Sequence, residues 1–570
     1  MAATVLSGCA EQSLVVDGST VTVASDQPFT SFNDQTTFGN TPANASIIGA
    51  TNAGFTYYDD ASELVRDESF GEIEIVSQEP FAVRYTVAAG VTWSDGEPVD
   101  AADLLLAWAA NSGQLNTDGF SPSRFIDAET GQFTSFPDDV VYFDGARRSG
   151  LQNVSQTPEI GDDGRSITLQ YDQYFVDWEL AFDVGLPAHV VAEQAFRYTA
   201  TEDETAGSLA KKDVIEAIVD ADLTRLGPLA SAWNSAFNSV TDPALLVSSG
   251  PYTVSDLTAD ESVTLSVNPL YTGERRPRFE TVVVQTITDP LAAVKALGAG
   301  DADVIAPTPT EDVVRALAAL DEVEVVNAES SVFEHLDLQF SGAKNATFAD
   351  PLLREAFLLT VPREQIVTEL VGPDARVRDS FVLTDGAGGF DENLARAKTL
   401  IAQAGAAPPP VCVLFDPSNP RRVAEFELIK ESAEQAGFVV SDCSASDWEG
   451  FLGVRGAYDA ALFAWNETTT AVTSPAARLR SNSTVSNFSH YASDTVDGLL
   501  DQLAVEDDPD EQRALLEQVD AELWADFYGL PLFQFPSLVA YRTDVENVTP
   551  SALSGPLWNV WQWQPAADRQ

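Results

Sequence analysis

Three histidines, three cysteines and 88 acidic side chains are the groups in this 570-residue chain that could carry chemistry. His189, His335 and His490 stand far apart, and none belongs to H-E-x-x-H, the spacing that sets two imidazoles and a general base around zinc. No G-x-S-x-G elbow presents a serine nucleophile, and no G-x-x-x-x-G-K-[ST] loop cradles a triphosphate. Glu506-Asp507-Asp508 lacks the ligand spacing of a calcium loop, and nothing singles out a carboxylate pair for glycoside hydrolysis. With no reactive constellation, the chain reads as a binder and not an enzyme, without metal or cofactor. A binding cleft needs flat apolar faces and a few polar groups that fix orientation, and Trp448 and Trp465 are the best candidates for the faces.

The elements that would position such groups are legible in the local pattern. Tyr85 and Val87 alternate as a strand, and Val91 and Trp93 resume the alternation after Gly90. Ser94-Asp95-Gly96 is a turn, and Asp100 with Asp103 forms a capping box. Ala101, Leu104, Leu105 and Trp108 then share one face of a helix. Further helices are expected from Ile47 to about Gly54, from Val190 to Phe196, from Lys212 to Ala221 and from Leu291 to Leu297. Asp350-Pro351 opens another, and Leu394 to Ala404 another, closed by Gly405. Strands alternating with helices indicate an α/β class with parallel pairing. Val411 to Phe415, a helix opened by Asn419-Pro420 and closed by Gly437, and Phe438 to Cys443 make one βαβ unit. Parallel neighbours lie about 4.8 Å apart, so Cys412 and Cys443 can form a disulfide if they share a face. Two buried free thiols are the alternative.

Thirty-one basic against 88 acidic residues give a net charge of −57, which argues against nucleic acid or anionic lipid headgroups as partners. No apolar run reaches the roughly 18 residues of a membrane-spanning helix. The first nine residues are too short for a complete signal peptide, yet Leu6-Ser7-Gly8-Cys9 resembles a lipobox, with Cys9 as the lipidated residue. Residues 1–9 are therefore expected to be the remnant of a lipoprotein signal.

Several motifs together resemble the family 5 extracellular solute-binding proteins, the peptide and nickel receptors of bacterial ABC importers. They are the 84–108 segment, Leu186-Pro187-Ala188-His189, Gly250-Pro251-Tyr252 with Asn268-Pro269, Gly300 to Val304, Phe348 to Ala356, Ala395 to Gly405, and Tyr458-Asp459-Ala460 with Trp465. The resemblance implies a two-lobed periplasmic-binding fold with a hinge and an extra domain inserted in the first lobe. Lobe one would comprise 10–65, 246–338 and 535–570, the inserted domain 66–245, and lobe two 339–534. It implies capture of an oligopeptide or similar solute and delivery to an ABC permease by a monomer. The protein would sit outside the cytoplasm, tied to the membrane only through its N-terminal lipid. A sensor or adhesion protein reusing the fold without transport is the alternative.

The resemblance also places a ligand site. Trp448, Trp465, Asn466, Glu467 and Thr468 would line the cleft from lobe two, and Gly39, Asn40 and Thr41 from lobe one. Peptide-binding relatives carry an aspartate three residues after the second tryptophan, to pair with the ligand's ammonium. Thr468 stands there in this chain, so either Glu467 substitutes or the ligand has no free amine at that point.

Overall fold

The computed structural model describes residues 14–567, apart from 128–129, 146–149, 202, 240–241, 373–374, 387, 406–407, 468 and 484–485. Cys9 and Thr468 therefore lie outside the described residues.

Local capping set several elements where the sequence marks them. Asp350 caps Pro351–Leu358, its carboxylate accepting from the Leu352 N–H at 2.9 Å. Leu394–Ala404 ends on Gly405 and Pro420–Ala436 on Gly437, both glycines left-handed. The Asp100–Asp103 box opens Ala101–Ser112 as expected. That helix differs in one respect, because it is buried on every side and not along one face. Its Ala-rich back packs under later helices, where Lys211 of Ala206–Val219 reaches Asp103 at 2.8 Å. The helix expected from Ile47 instead runs Pro42–Thr51, because Thr41 caps it and Pro42 fits its first position. Val91 and Trp93 do not extend a strand; Thr92 makes only an isolated bridge to Pro98.

Among the described residues the largest sheet has eleven strands. Its order is Val439–Asp442, Pro410–Leu414, Ala460–Asn466, Val323–Leu338, Gly529–Arg542, Val304–Ile305, Val16–Ser25, Phe279–Thr286, Ser262–Val267 and Tyr252–Thr258, with Arg376–Val377 pairing beside Gly529–Arg542. The antiparallel pair Val323–Leu338 and Gly529–Arg542 is long enough to serve two cores at once. At one end Leu538 and Ala540 pack with Val294, Leu297 and Ile305. At the other, Leu336, Leu338, Leu530 and Leu532 pack with Phe357, Val411 and Ile429. Between these ends the register slips, once between Glu329 and Phe333 and again between Glu334 and His335. Two lobes thus share two crossing strands, with the irregular pairing at the crossing. Along the first strand Val326 packs with one core and Val332 with the other.

A second sheet orders Gly71–Gln78, Phe81–Val87, Ser166–Gln170 and Glu159–Ile160. Its Tyr85, with Leu105, Trp108 and Trp233 from the helices covering it, joins one apolar core with Val21 and Val282.

Candidate functional site

Alternation along Ala460–Asn466 turns Leu462 and Ala464 to one core and Ala461, Phe463 and Trp465 to the other face. Across the strand pair Trp465 sits opposite Phe333, and Phe463 opposite His335. An aromatic stack results, in which the Trp465 ring lies nearly parallel to His335 at 5.5 Å and to Phe488 at 5.8 Å. Trp448, in the short turn Trp448–Phe451, meets the same group through Phe463 at 6.3 Å. Both tryptophans are half-buried, each with part of its surface open. His335 is fully buried within this stack. Its Nδ1 stands 2.9 Å from Asp337 Oδ1, but off the line of a hydrogen bond.

Two arginines close over this face. The Arg378 guanidinium lies 3.7 Å from the Phe333 ring centre, and that of Arg478 lies 5.6 Å from Phe333 and 5.7 Å from Trp465. Arg378 donates to Gln534 Oε1 at 2.7 Å and to the Ser380 carbonyl at 2.9 Å, while Arg478 donates to the Phe381 carbonyl. Burial pulls the Arg378 pKa below its ordinary value, against the opposing pull of Glu467. Glu467 Oε1 stands between the two cations, 3.5 Å from Arg378 and 3.7 Å from Arg478. Glu467 thus sits beside both guanidiniums and accepts a hydrogen bond from Arg378 at 3.5 Å. Asn466 is exposed, its Oδ1 bonded by the Ser331 hydroxyl at 3.0 Å.

Behind this face lies a second charged group. Glu334 is fully buried between Arg421 at 3.0 Å and Arg422 at 2.9 Å. Burial would raise its pKa, but the two guanidiniums outweigh burial and hold it below the ordinary value. Glu425, also buried against Arg421, is pushed up to about 8 by burial and by Glu334. Arg422 lies 5.1 Å from the Trp448 ring, linking this cluster to the aromatic face.

The loop after Trp465 is held from the first lobe at two points. The Tyr58 hydroxyl receives the Thr470 N–H at 3.1 Å and lies 3.2 Å from the Thr469 hydroxyl. The Asp177 carboxylate accepts from the Val472 and Thr473 N–H groups at 3.0 and 2.9 Å. Tyr58 is fixed by the hairpin Thr56–Tyr58 with Leu64–Arg66, and its neighbour Tyr57 packs on Trp561 and Arg275. Tyr58, Asp177, Arg378 and Arg478 were not signalled by spacing, since their contacts join distant parts of the chain.

Gly39, Asn40 and Thr41 lie in a turn of the first lobe. Their hydrogen bonds run to Thr36, Asn44 and Ala45, and a side chain at Gly39 would meet the Asn33 carbonyl at 1.9 Å. They form the turn that starts Pro42–Thr51. The sulfurs of Cys412 and Cys443 are bonded, their Cα atoms 5.6 Å apart, Cys412 on Pro410–Leu414 and Cys443 just past the end of its parallel neighbour Val439–Asp442. His189 pairs with Asp95 at 2.7 Å, and His490 bonds the Gly453 carbonyl at 2.9 Å. A cavity of about 600 Å³ lined by Thr347, Asp350, Pro351 and Pro410 shares no residue with the aromatic face. Among the described residues no cluster of three or more His, Cys, Asp or Glu could hold a metal ion.

Two α/β lobes on crossing strands match the fold of the two-lobed periplasmic binding proteins. The chain belongs to the bacterial extracellular solute-binding proteins, family 5, whose middle-region model matches residues 76–487. It is 26% identical to an uncharacterized lipoprotein of Mycobacterium tuberculosis, over 99% of this chain and 95% of that one. It is 24% identical to the oligopeptide-binding protein OppA of Mycobacterium bovis, over 90% and 80% of the two chains. The solved periplasmic EDTA-binding protein EppA superposes with a TM-score of 0.77 at 19% identity, over 97% of both chains. The family and its fold are those of substrate-binding proteins, not enzymes.

Proposed function

We propose that this protein captures an oligopeptide or similar solute between its two lobes and delivers it to the transmembrane subunits of an ABC importer. It would act as a monomer outside the cytoplasm, tied to the membrane through a lipid on Cys9. The observation that carries the reading is the clasp by Tyr58 and Asp177 of loop 469–473, which follows the half-buried Trp465 in the chain. A solute resting on the faces of Trp448 and Trp465 would be enclosed when the lobes meet, and its contacts to both lobes would favour the closed state by their differential free energy.

The OppA relative supports the peptide class, and the mycobacterial lipoprotein relative supports the anchor. Open parts of Trp448 and Trp465 suit flat stacking contacts, and Asn466 is exposed beside them. Mass spectrometry of solute retained through native purification tests capture, with conversion of that solute by intact protein as the refuting result. Loss of its uptake by cells lacking the protein tests delivery, and palmitate labelling abolished by Cys9→Ala tests the anchor.

A further inference from the structure

We propose that Arg422 is a positioning residue for the solute face: Glu334 on the crossing strand Val323–Leu338 holds its guanidinium, and the guanidinium sets the plane of the Trp448 ring. A change in the bend between the lobes would then reach the surface offered to the solute. This rests on the solute-binding reading above and adds to it a residue that acts through Trp448 without touching the solute.

The helix Pro420–Ala436 opens with two adjacent arginines, where the positive end of the helix macrodipole disfavours cations. Helix stability does not account for them, but Glu334 does. Its fully buried carboxylate accepts from Arg422 Nε at 2.9 Å and from an Arg421 guanidinium nitrogen at 3.0 Å. The Arg422 side chain is itself more than nine-tenths buried. Asn419 fixes the backbone of the same turn, accepting from the Arg421 and Arg422 N–H groups at 3.0 and 3.3 Å. A planar cation held at its backbone and at its head has little freedom to turn.

The sheet gives this grip a direction. Glu334 alternates with Phe333 and His335 along its strand, so it points to the face opposite the aromatic stack. Trp448 packs on the stack side, against Phe463. Arg422 spans the two, with Nε on Glu334 and its guanidinium carbon 5.1 Å from the Trp448 ring centre. The turn Trp448–Phe451 has no buried side chain of its own, so the ring takes its orientation from what it packs against.

Glu334 also stands where the crossing is irregular. It pairs with Phe533 while the next residue, His335, pairs with Pro531, so the register slips at this carboxylate. The Arg421 guanidinium lies 5.5 Å from the Phe533 ring and 4.7 Å from that of Phe535, which ties the same helix turn to the second crossing strand. Both crossing strands therefore bear on the turn that carries Arg422, and a displacement there is passed to the Trp448 ring through one guanidinium.

The test uses the full chain labelled with 5-fluorotryptophan and free of solute. Ten tryptophans give ten fluorine resonances, and the one missing from Trp448→Phe belongs to Trp448. That resonance should move in Arg422→Lys, which keeps the charge beside Glu334 but loses the planar face. It should move also in Glu334→Gln, although residue 334 faces the other side of the sheet. The resonance missing from Trp233→Phe, a ring buried in the first lobe, should stay in place in both. Glu334→Gln added to Arg422→Lys should move the Trp448 resonance no further, whereas general loosening would move it in either background. A Trp448 resonance unmoved by Arg422→Lys, or moved equally by Glu334→Gln in both backgrounds, overturns the proposal. Arg422→Lys keeps a buried ion pair, so it answers the question even where Glu334→Gln folds poorly. Solute from native purification held by Arg422→Lys as firmly as by wild type would also overturn it, while leaving solute capture standing. Wild-type protein that retains no solute would instead defeat the capture reading, with the fluorine result unaffected.

Discussion

The Tyr58 hydroxyl and the Thr470 backbone N–H are joined at 3.1 Å across 412 residues, tying the edge of the first lobe to the loop that follows Trp465. The bond relates the state of the seam to the position of the aromatic face. Tyr58→Phe removes it, together with the contacts to the Thr469 and Thr470 hydroxyls. A net hydrogen bond contributes about 1 kcal/mol, so solute affinity should fall about fivefold. The ligand-free melting temperature should hardly move. Unchanged affinity by calorimetry would show that this clasp plays no part in closure.

Trp465 is packed as well as exposed, between His335 and Phe488 and against Phe463. Trp465→Ala should therefore cost about 2 kcal/mol of unfolding free energy even without solute, as a partly relaxed core truncation does. Trp465→Phe should keep most of the stability and lose more of the binding. Denaturant unfolding of both variants separates the two contributions, and identical stability losses would count against this division.

Glu425 makes stability depend on pH. Its carboxyl is pushed up to about 8 in the folded chain from an ordinary 4.5, by burial and by Glu334. Between those values the folded state holds a proton that the unfolded state has released, so stability falls as pH rises through the window. Glu334 acts in the opposite sense, but at lower pH, because its folded value is depressed and its contribution disappears only as pH falls through that value. Glu425→Gln should match wild type near about pH 5 and melt above it near about pH 8. Parallel melting curves across that range would contradict the assignment.

The Cys412–Cys443 bond closes a separation of 31 residues. In the chain-entropy account such a loop contributes about 3–4 kcal/mol, so Cys443→Ser should destabilise the second lobe by that order. Quantitative alkylation of both thiols in unreduced, denatured protein would remove the basis for this expectation.

Local signals carried much of the fold. Asp350, Asn419, Gly405 and Gly437 mark helix ends because a cap acts within a few residues of itself. The all-round burial of Ala101–Ser112 was not visible, since its alanines look neutral until other helices cover them. The site was legible only on one strand. Trp465 was placed by the family motif, but Arg378, Arg478, Tyr58 and Asp177 meet its strand and the loop after it through contacts of long sequence separation, which no periodicity encodes. Gly39 to Thr41 were placed in the cleft by resemblance alone, and their hydrogen bonds build the turn that starts Pro42–Thr51.

Small-angle scattering of monomeric protein, stripped of solute and then reloaded with the solute identified from native purification, tests the central claim most directly. If the solute is captured between the lobes, its differential affinity for the closed state should reduce the radius of gyration on loading, and Tyr58→Phe should require more solute for the same change. A radius of gyration indifferent to saturating solute, with binding verified in the same sample, would contradict capture at the seam.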